Sequence, residues 1–173
     1  MARVKRGLVQ VYTGDGKGKT TAALGLAMRA AGQGLRVGFI QFLKGKRGGE
    51  HFFASRYQPF EIVQVSSDNH FTRDPQVLGE EVRQTLALAE ERMLGGDCDL
   101  LILDEVLVAV HTGFIASRQV LDLIDRKPGP LDLVLTGRNA PPEIIDRADL
   151  VTEMRLIKHP FQQRIGARRG IEY

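Results

Sequence analysis

Apolar positions along the chain follow two alternating patterns. Short runs of apolar and β-branched residues are separated by longer segments in which apolar residues recur at helical spacing. This order is typical of βαβ units, in which parallel strands form one sheet and helices cover its faces. The sequence therefore predicts an α/β fold with a mainly parallel sheet flanked by helices.

The same pattern predicts the individual elements. Strands are expected at residues 7–12, 35–42, 62–65, 99–105, 131–137 and 150–157. Helices are expected at residues 20–31, 76–94 and 117–125, and from about residue 142. In the longest helix, one buried face is predicted for Val82, Leu86, Ala89 and Met93.

Two segments lack either pattern. Residues 43–53, "LKGKRGGEHFF", are basic and rich in glycine, and we expect a mobile loop there. The tail at residues 158–173 shows no clear period. A chain of 173 residues with 43% hydrophobic content can bury one core. We therefore expect one domain over residues 1–173, with flexible ends at 1–6 and 159–173.

Charge and cysteine content limit the classes of partner. The chain has 24 Lys and Arg against 21 Asp and Glu, and a net charge of +3 is too small to indicate a nucleic-acid partner. The N-terminal apolar run is too short for a signal peptide or a membrane span. The single cysteine, Cys98, excludes an intrachain disulfide and is compatible with the cytoplasm. We predict a cytoplasmic protein without nucleic-acid or membrane partners, for which small anions are plausible ligands.

A glycine-rich stretch between the first strand and the first helix carries the clearest chemistry. It follows the phosphate-loop spacing G-x-x-x-x-G-K-[ST], except that Thr13 stands at the first glycine position. Gly14, Gly16 and Gly18 allow sharp turns that direct backbone N–H groups into one concavity, and the helix N-terminus adds positive potential there. The stretch therefore predicts a nucleotide triphosphate site.

The polar side chains of this loop are the candidate phosphate and metal ligands. Lys19 is placed to neutralise phosphate charge, and Thr20 to offer its hydroxyl to Mg²⁺. Lys17 and Thr21 are secondary phosphate candidates. The alternatives are a solvated glycine turn and a dinucleotide-binding loop. The second is disfavoured because the glycines fall as G-x-G-x-G and the next strand ends at Gln41 without an acidic residue.

A pair of carboxylates is the candidate second anchor for Mg²⁺. "LLILDE" places Asp104 and Glu105 at the end of a hydrophobic strand, where open parallel sheets gather their ligands. Either carboxylate can hold the ion directly or through water. The alternative is a pair that only caps the next helix.

Several blocks of the chain resemble one enzyme family, the P-loop ATP:corrinoid adenosyltransferases. The blocks are "YTGDGKGKTTAALGLAMRAAG", "VGFIQFLKG", "LLILDE", "TGRNAPPEIIDRADLVTEMRLIKHPF" and "RRGIEY", in the order of the family and over nearly the whole chain. Thr13 in place of glycine is similar to the family's loop. The resemblance implies a RecA-like P-loop fold and transfer of the 5′-deoxyadenosyl group of ATP to the cobalt of a reduced corrinoid, releasing triphosphate.

The resemblance also implies roles for individual residues. Lys19, Thr20 and Glu105 are expected to be catalytic, with Thr20 and Glu105 on Mg²⁺. The expected ATP cradle runs from Thr13 and Gly14 to Thr21. Further residues expected near the nucleotide or elsewhere in the site are Asp15, Arg29, Gln41, Lys44 and Arg138. A homodimer and a flavoprotein reductase partner are expected from the same resemblance.

One loop departs from the pattern of the family. "HFTRDPQ" keeps Phe71, but Arg73 stands where relatives often have tryptophan. Phe71 is expected either to press against the lower face of the corrin or to be an ordinary core residue, and His70 lies beside it. Two other classes of function are open at this point: a generic P-loop ATPase or kinase, and a nucleotide-switched binding protein.

Overall fold

The strands form one parallel sheet. The computed structural model describes residues 6–45, 47–65 and 74–172. Six strands lie in the order β3-β2-β4-β5-β1-β6, and every neighbouring pair is parallel. Their bounds are β1 Val9–Thr13, β2 Val37–Gln41, β3 Glu61–Gln64, β4 Leu100–Asp104, β5 Asp132–Thr136 and β6 Leu150–Glu153. The predicted α/β fold with a mainly parallel sheet of the RecA-like P-loop type is confirmed.

Helices connect the strands. Their bounds are α1 Lys19–Gly32, α2 Gly49–Tyr57, α3 Pro75–Leu94, α4 Val106–His111, α5 Ser117–Arg126 and α6 Pro142–Arg147, and a short 3₁₀ helix covers Pro160–Gln163. The four predicted helices are present within one or two residues of the expected bounds where both ends were given. Within the described residues no helix has the length and apolar character needed to cross a membrane.

Two helices were not predicted, and the end of β6 is the strand end that differs most from its expected position. Residues 49–57, expected to belong largely to a loop, form α2, in which His51 is buried and its Nδ1 accepts a hydrogen bond from the backbone N–H of Gly48 at 2.9 Å. Helix α4 was not predicted, because its run of valine and leucine has no polar face to mark a helical period. Strand β6 ends at Glu153 rather than continuing to Ile157, because the chain turns there against the glycine-rich loop.

The core lies on both faces of the sheet. Side chains alternate along each strand, so that Leu101 and Leu103 of β4 face the larger core and Leu100 and Ile102 face the smaller one. The larger core contains the predicted α3 face of Val82, Leu86, Ala89 and Met93, which is confirmed as buried. In the smaller core α1 presents the stripe Ala23, Ala27 and Ala30 to the sheet.

The parallel order brings five strand ends to one edge. β1 ends at Thr13, β2 at Gln41, β3 at Gln64, β4 at Asp104 and β5 at Thr136. Because all neighbouring strands are parallel, these polar residues lie along one edge of the sheet, the edge that also carries the loop leading into α1. The sheet topology therefore defines where the candidate site is built.

Candidate functional site

The glycine-rich loop turns tightly at the end of β1. Gly14 has φ +91° and Gly18 φ +123°, conformations in which a residue with Cβ is strained. Gly16 approaches the chain beyond β6, and its N–H donates to the carbonyl oxygen of Met154 at 2.6 Å. A Cβ on Gly16 would lie 2.6 Å from that same oxygen. The three glycines are thus required by the backbone path of the loop.

Thr13 explains why the first glycine of the motif is dispensable here. It is the last residue of β1, it is buried, and it is not among the described non-glycine residues with positive φ. The turn is made one residue later, at Gly14. The Thr13 hydroxyl accepts a hydrogen bond from the N–H of Ala140 at 3.2 Å, which ties β1 to the segment after β5.

Lys19 lies inside the loop that it follows. Its Nζ donates to the carbonyl oxygens of Gly14 at 2.6 Å and Gly16 at 2.8 Å, and the residue is 7% exposed. Burial lowers the pKa of Lys19, while the nearby Glu105 carboxylate opposes that shift. The ammonium group is therefore held at the centre of the loop, where it can bind phosphate oxygens.

Asp104 is the centre of a buried hydrogen-bond network. The residue is fully buried. Its Oδ1 accepts from the hydroxyls of Thr20 at 2.9 Å and Thr136 at 2.7 Å, and its Oδ2 accepts from Gln41 Nε2 at 3.1 Å. Lys44 Nζ lies 3.6 Å from Oδ2. Because these donors occupy its lone pairs, Asp104 suits the role of orienting Thr20 better than that of a direct metal ligand.

Glu105 occupies a different environment from its neighbour. It has φ +62°, an unusual conformation for a residue with a side chain, and it lines the main cavity. Burial raises the pKa of its carboxyl group, and the adjacent Asp104 adds to the shift, against the opposing effects of Lys44 and Lys19. Backbone strain and a perturbed acid at the edge of a cavity are typical of functional positions.

The residues of this site suit a magnesium ion that is shared with a nucleotide better than a metal ion bound by protein ligands alone. In the described part of the chain, no group of three or more His, Cys, Asp or Glu residues is arranged to hold a metal. Magnesium normally uses one or two protein oxygens and completes its shell with phosphate oxygens and water. The Thr20 hydroxyl, whose hydrogen is directed at Asp104, and the Glu105 carboxylate could serve as such a pair.

One cavity of about 910 Å³ lies over this edge of the sheet. Most of the predicted site residues line it: Asp15, Gly16, Lys17, Gly18, Lys19, Thr20, Thr21, Lys44, Glu105 and Arg138. Gln41 and Asp104 lie buried behind the lining. Arg29 is exposed near the C-terminal end of α1 and is not among the lining residues. Phe71, like His70 and Arg73, lies outside the described residues.

The C-terminal tail reaches the same cavity. Gly170, Ile171 and Glu172 are among its lining residues. Lys17 Nζ lies 3.2 Å from a carboxylate oxygen of Glu172. Hydrogen bonds from Arg168 lower the pKa of Glu172 to about 2, so this carboxylate is ionised beside the loop.

Several network residues were not predicted from the sequence. Thr136 and Gln64 each end a strand, and both belong to the side-chain network around Asp104. Their place at the carboxyl ends of predicted strands could have marked them as candidates. It does not show that they contact the Asp104 network until the strand order is known. Glu50 was also missed: it lines the cavity and pairs with Lys44 at 3.3 Å, in a segment expected to be a loop.

The fold and this edge of the sheet define a P-loop nucleotide-binding protein. The family model described as "ATP:corrinoid adenosyltransferase BtuR/CobO/CobP" matches residues 5–173. The chain belongs to this family and is a transferase of the ATP:corrinoid adenosyltransferase type.

Individual relatives agree with the family model. The chain is 37% identical to a corrinoid adenosyltransferase of Pseudomonas aeruginosa, over 99% of this chain and 86% of the relative. It is 34% identical to the corrinoid adenosyltransferase CobA of Salmonella typhimurium and 32% identical to a corrinoid adenosyltransferase of Escherichia coli, in both cases over 99% of this chain and 88% of the relative.

Proposed function

We propose that this enzyme joins C5′ of ATP to the cobalt of a corrinoid reduced to the Co(I) state. The cobalt lone pair forms the new Co–C5′ bond, the C5′–O bond breaks, and its electron pair leaves with inorganic triphosphate. The cobalt is formally oxidised from Co(I) to Co(III). The observation that supports this proposal is the phosphate loop and Glu105 on one cavity, in a chain that matches the adenosyltransferase family along nearly its full length.

The cavity suits a reaction whose nucleophile comes from the substrate. Its described lining contains neither cysteine nor serine, and Cys98 lies elsewhere. A Co(I) corrinoid is itself a strong nucleophile, so the protein has to bind, orient and exclude water rather than activate a side chain. The volume of about 910 Å³ is near the upper end of small-molecule sites, roughly 300–1,000 Å³, and leaves room beside the triphosphate.

The leaving group is stabilised by the loop in this proposal. The ammonium of Lys19 and the loop N–H groups bind the triphosphate oxygens, which lowers the cost of the charge that develops when the C5′–O bond breaks. Thr20 and Glu105 would hold a magnesium ion, which would supply further positive charge to the triphosphate. Asp104 keeps the Thr20 hydroxyl oriented.

The remaining family expectations are part of the same proposal. We infer a homodimer acting in the cytoplasm as one domain per chain, with a flavoprotein reductase supplying the reduced corrinoid. Among the predicted residues, Arg138 lines the cavity and is the candidate for a direct contact with substrate. Phe71 is kept as the candidate contact to the lower face of the corrin.

Product analysis tests the reaction class. The purified protein is incubated without oxygen with ATP, Mg²⁺ and chemically reduced cob(I)alamin, and corrinoid absorbance and phosphate products are followed together. We expect inorganic triphosphate in a one-to-one ratio with the adenosylated corrinoid and no ADP. Formation of ADP without adenosylated corrinoid would identify a kinase or ATPase instead, and unchanged ATP would identify a nucleotide-switched binding protein.

A further inference from the structure

A line of side-chain hydrogen bonds joins the edge of the sheet to the phosphate loop. Gln64 of β3 donates from Nε2 to Oε1 of Gln41 at 3.0 Å. Gln41 of β2 donates from Nε2 to Oδ2 of Asp104 at 3.1 Å. Asp104 of β4 in turn accepts from the Thr20 hydroxyl. The line thus crosses three strands before it reaches the loop.

The strand register accounts for this alignment. Gln64 pairs with Gln41 in the β2–β3 register, and Gln41 pairs with Asp104 in the β2–β4 register. Register partners on adjacent strands stand about 4.8 Å apart with side chains on the same face. The three polar side chains are therefore held in one row by the backbone.

All hydrogen bonds in the row run the same way, with Gln64 donating to Gln41 and Gln41 donating to Asp104. A glutamine amide offers an oxygen that accepts and an NH₂ group that donates. Gln41 is 2% exposed, so water cannot replace either partner. Because Gln64 donates to Oε1 of Gln41, the Nε2 of Gln41 faces Asp104. The reverse orientation would place Oε1 against the carboxylate, where two acceptors repel each other.

The direction matters at the other end of the row. Asp104 accepts the hydrogen of Thr20, which leaves the oxygen lone pairs of Thr20 directed away from Asp104 and available to a cation. A second donor, Thr136, holds Oδ1 from the side of β5. Gln41 is the donor that fixes Oδ2 from the side of β2.

We propose that Gln64 is a positioning residue for the metal-bound triphosphate. It acts through Gln41, whose amide it orients, on the carboxylate of Asp104 and so on the Thr20 hydroxyl. Gln64 itself does not line the main cavity. The proposal rests on the proposed function, because it assigns Thr20 to a magnesium ion bound with ATP.

The substitution Gln64→Glu adds a negative charge near the site. In our proposal it lowers the affinity for a divalent cation, whereas the added charge by itself would raise that affinity. In Gln64→Glu the carboxylate can only accept, so Oε1 of Gln41 faces a carboxylate in either orientation of its amide, and the row loses one of its two amide hydrogen bonds. We expect the affinity of the protein–ATP complex for Mn²⁺, titrated by electron paramagnetic resonance, to fall roughly tenfold, the usual scale for losing a hydrogen bond to a charged group. A general effect of added negative charge would strengthen cation binding instead.

Two further variants test the route through Gln41. Gln64→Met removes the donor without adding charge, and we expect a smaller loss of Mn²⁺ affinity in the same direction. With Gln41→Met already present, adding Gln64→Glu is expected to cause no further loss, because the intermediate amide is gone. The side-chain amide resonance of Gln41, assigned by its loss in Gln41→Met, is expected to shift in Gln64→Glu.

The matched control is another half-buried strand glutamine. Gln10 of β1 accepts from the Tyr12 hydroxyl at 2.8 Å, and Gln10→Glu keeps that acceptor and adds the same charge. We expect it to retain the Mn²⁺ affinity of the parent protein. The proposal is overturned if Gln64→Glu binds Mn²⁺ as tightly as the parent or more tightly, if the losses of the two positions simply add, or if the parent–ATP complex binds no Mn²⁺. Failure of the proposed reaction is seen separately, as a parent protein that binds Mn²⁺ with ATP but forms no triphosphate.

Discussion

Thr13 stands where the phosphate-loop motif has its first glycine, and the loop still forms. The motif position falls in the regular part of β1, where β-branched residues fit well, and the positive φ is supplied by Gly14. The Thr13 hydroxyl then adds a bond to Ala140 that glycine cannot make. The sequence predicted a phosphate-binding role for Thr13, and the described contact is with the protein backbone.

Asp104 and Glu105 are adjacent in sequence and differ in chemistry. Asp104 is surrounded by donors, whereas Glu105 lines the cavity with a carboxyl group whose pKa is raised by burial and by Asp104. Their position at a strand end was predictable, but their division of roles depends on Thr136 and Gln41. Those contacts come from neighbouring strands, so the pair alone does not indicate which carboxylate faces the cavity.

Glu105→Gln is expected to weaken the metal site and to stabilise the metal-free protein. The substitution removes a charge that burial and Asp104 disfavour, so we expect the melting temperature without Mg²⁺ to rise and the Mg²⁺ concentration for half-maximal ATP binding to rise several-fold. Calorimetry and a nucleotide-binding titration measure the two effects. Glu91→Gln, on the exposed surface of α3, is the control and should change neither.

The same carboxyl group predicts a pH dependence. Its folded-state pKa is raised, so its proton stabilises the folded state fully below the unfolded-state pKa, and that contribution is lost as pH rises through the raised folded-state pKa. A protonated Glu105 carboxyl group is a poorer metal ligand, so acidification is expected to weaken Mg²⁺ binding although it stabilises the folded protein. Half-saturating Mg²⁺ should therefore begin to increase on acidification at a higher pH than for an ordinary carboxylate, and this change should be absent in Glu105→Gln.

Among the helices, periodicity predicted the long ones and missed α2 and α4, whereas the short α6 was predicted from the proline at its start. Helix α3 repeats apolar residues over several turns, so its buried face was visible in the sequence. Helix α2 begins at two glycines and buries mainly His51 and Ala54, and α4 is apolar up to its last residue, His111. Such short helices are fixed by packing against the sheet rather than by a local pattern.

The glycine-rich loop and the segment after β6 form one packed unit. A methyl group at Gly16 would meet the backbone oxygens of Met154 at 2.6 Å and Arg155 at 2.8 Å, so one of the two segments has to move. We expect Gly16→Ala to lower the free energy of unfolding by roughly 1–3 kcal/mol and to raise KM for ATP. Denaturant titration and steady-state kinetics measure these changes.

Gly25→Ala is the matched control for that variant. Gly25 is exposed within α1, and a Cβ there meets nothing within 4 Å. Because alanine is favoured over glycine in a helix interior, this substitution should stabilise the protein by about 0.5–1 kcal/mol. If Gly16→Ala behaved like Gly25→Ala, the close approach of the loop to Met154 would not be a constraint on the fold.

At the scale of the whole molecule, the first and last parts of the chain meet at one cavity. The loop after β1, Glu105 after β4 and residues 170–172 all line it, and Lys17 of the loop forms an ion pair with Glu172. The blocks that carry the family resemblance are the same segments. Their meeting depends on the strand order β4-β5-β1-β6, which the sequence indicated as a parallel sheet but did not specify.

In the proposed reaction the triphosphate stays anchored in the loop while a bond to the sugar carbon breaks. The most direct measurement uses ATP carrying a heavy-oxygen label at the bridge between C5′ and the α-phosphorus, turned over without oxygen in the presence of reduced corrinoid. The account predicts that mass spectrometry finds all of the label in inorganic triphosphate. Label retained in ADP or another adenosine-containing product would contradict it, because the bond broken would then lie between oxygen and phosphorus.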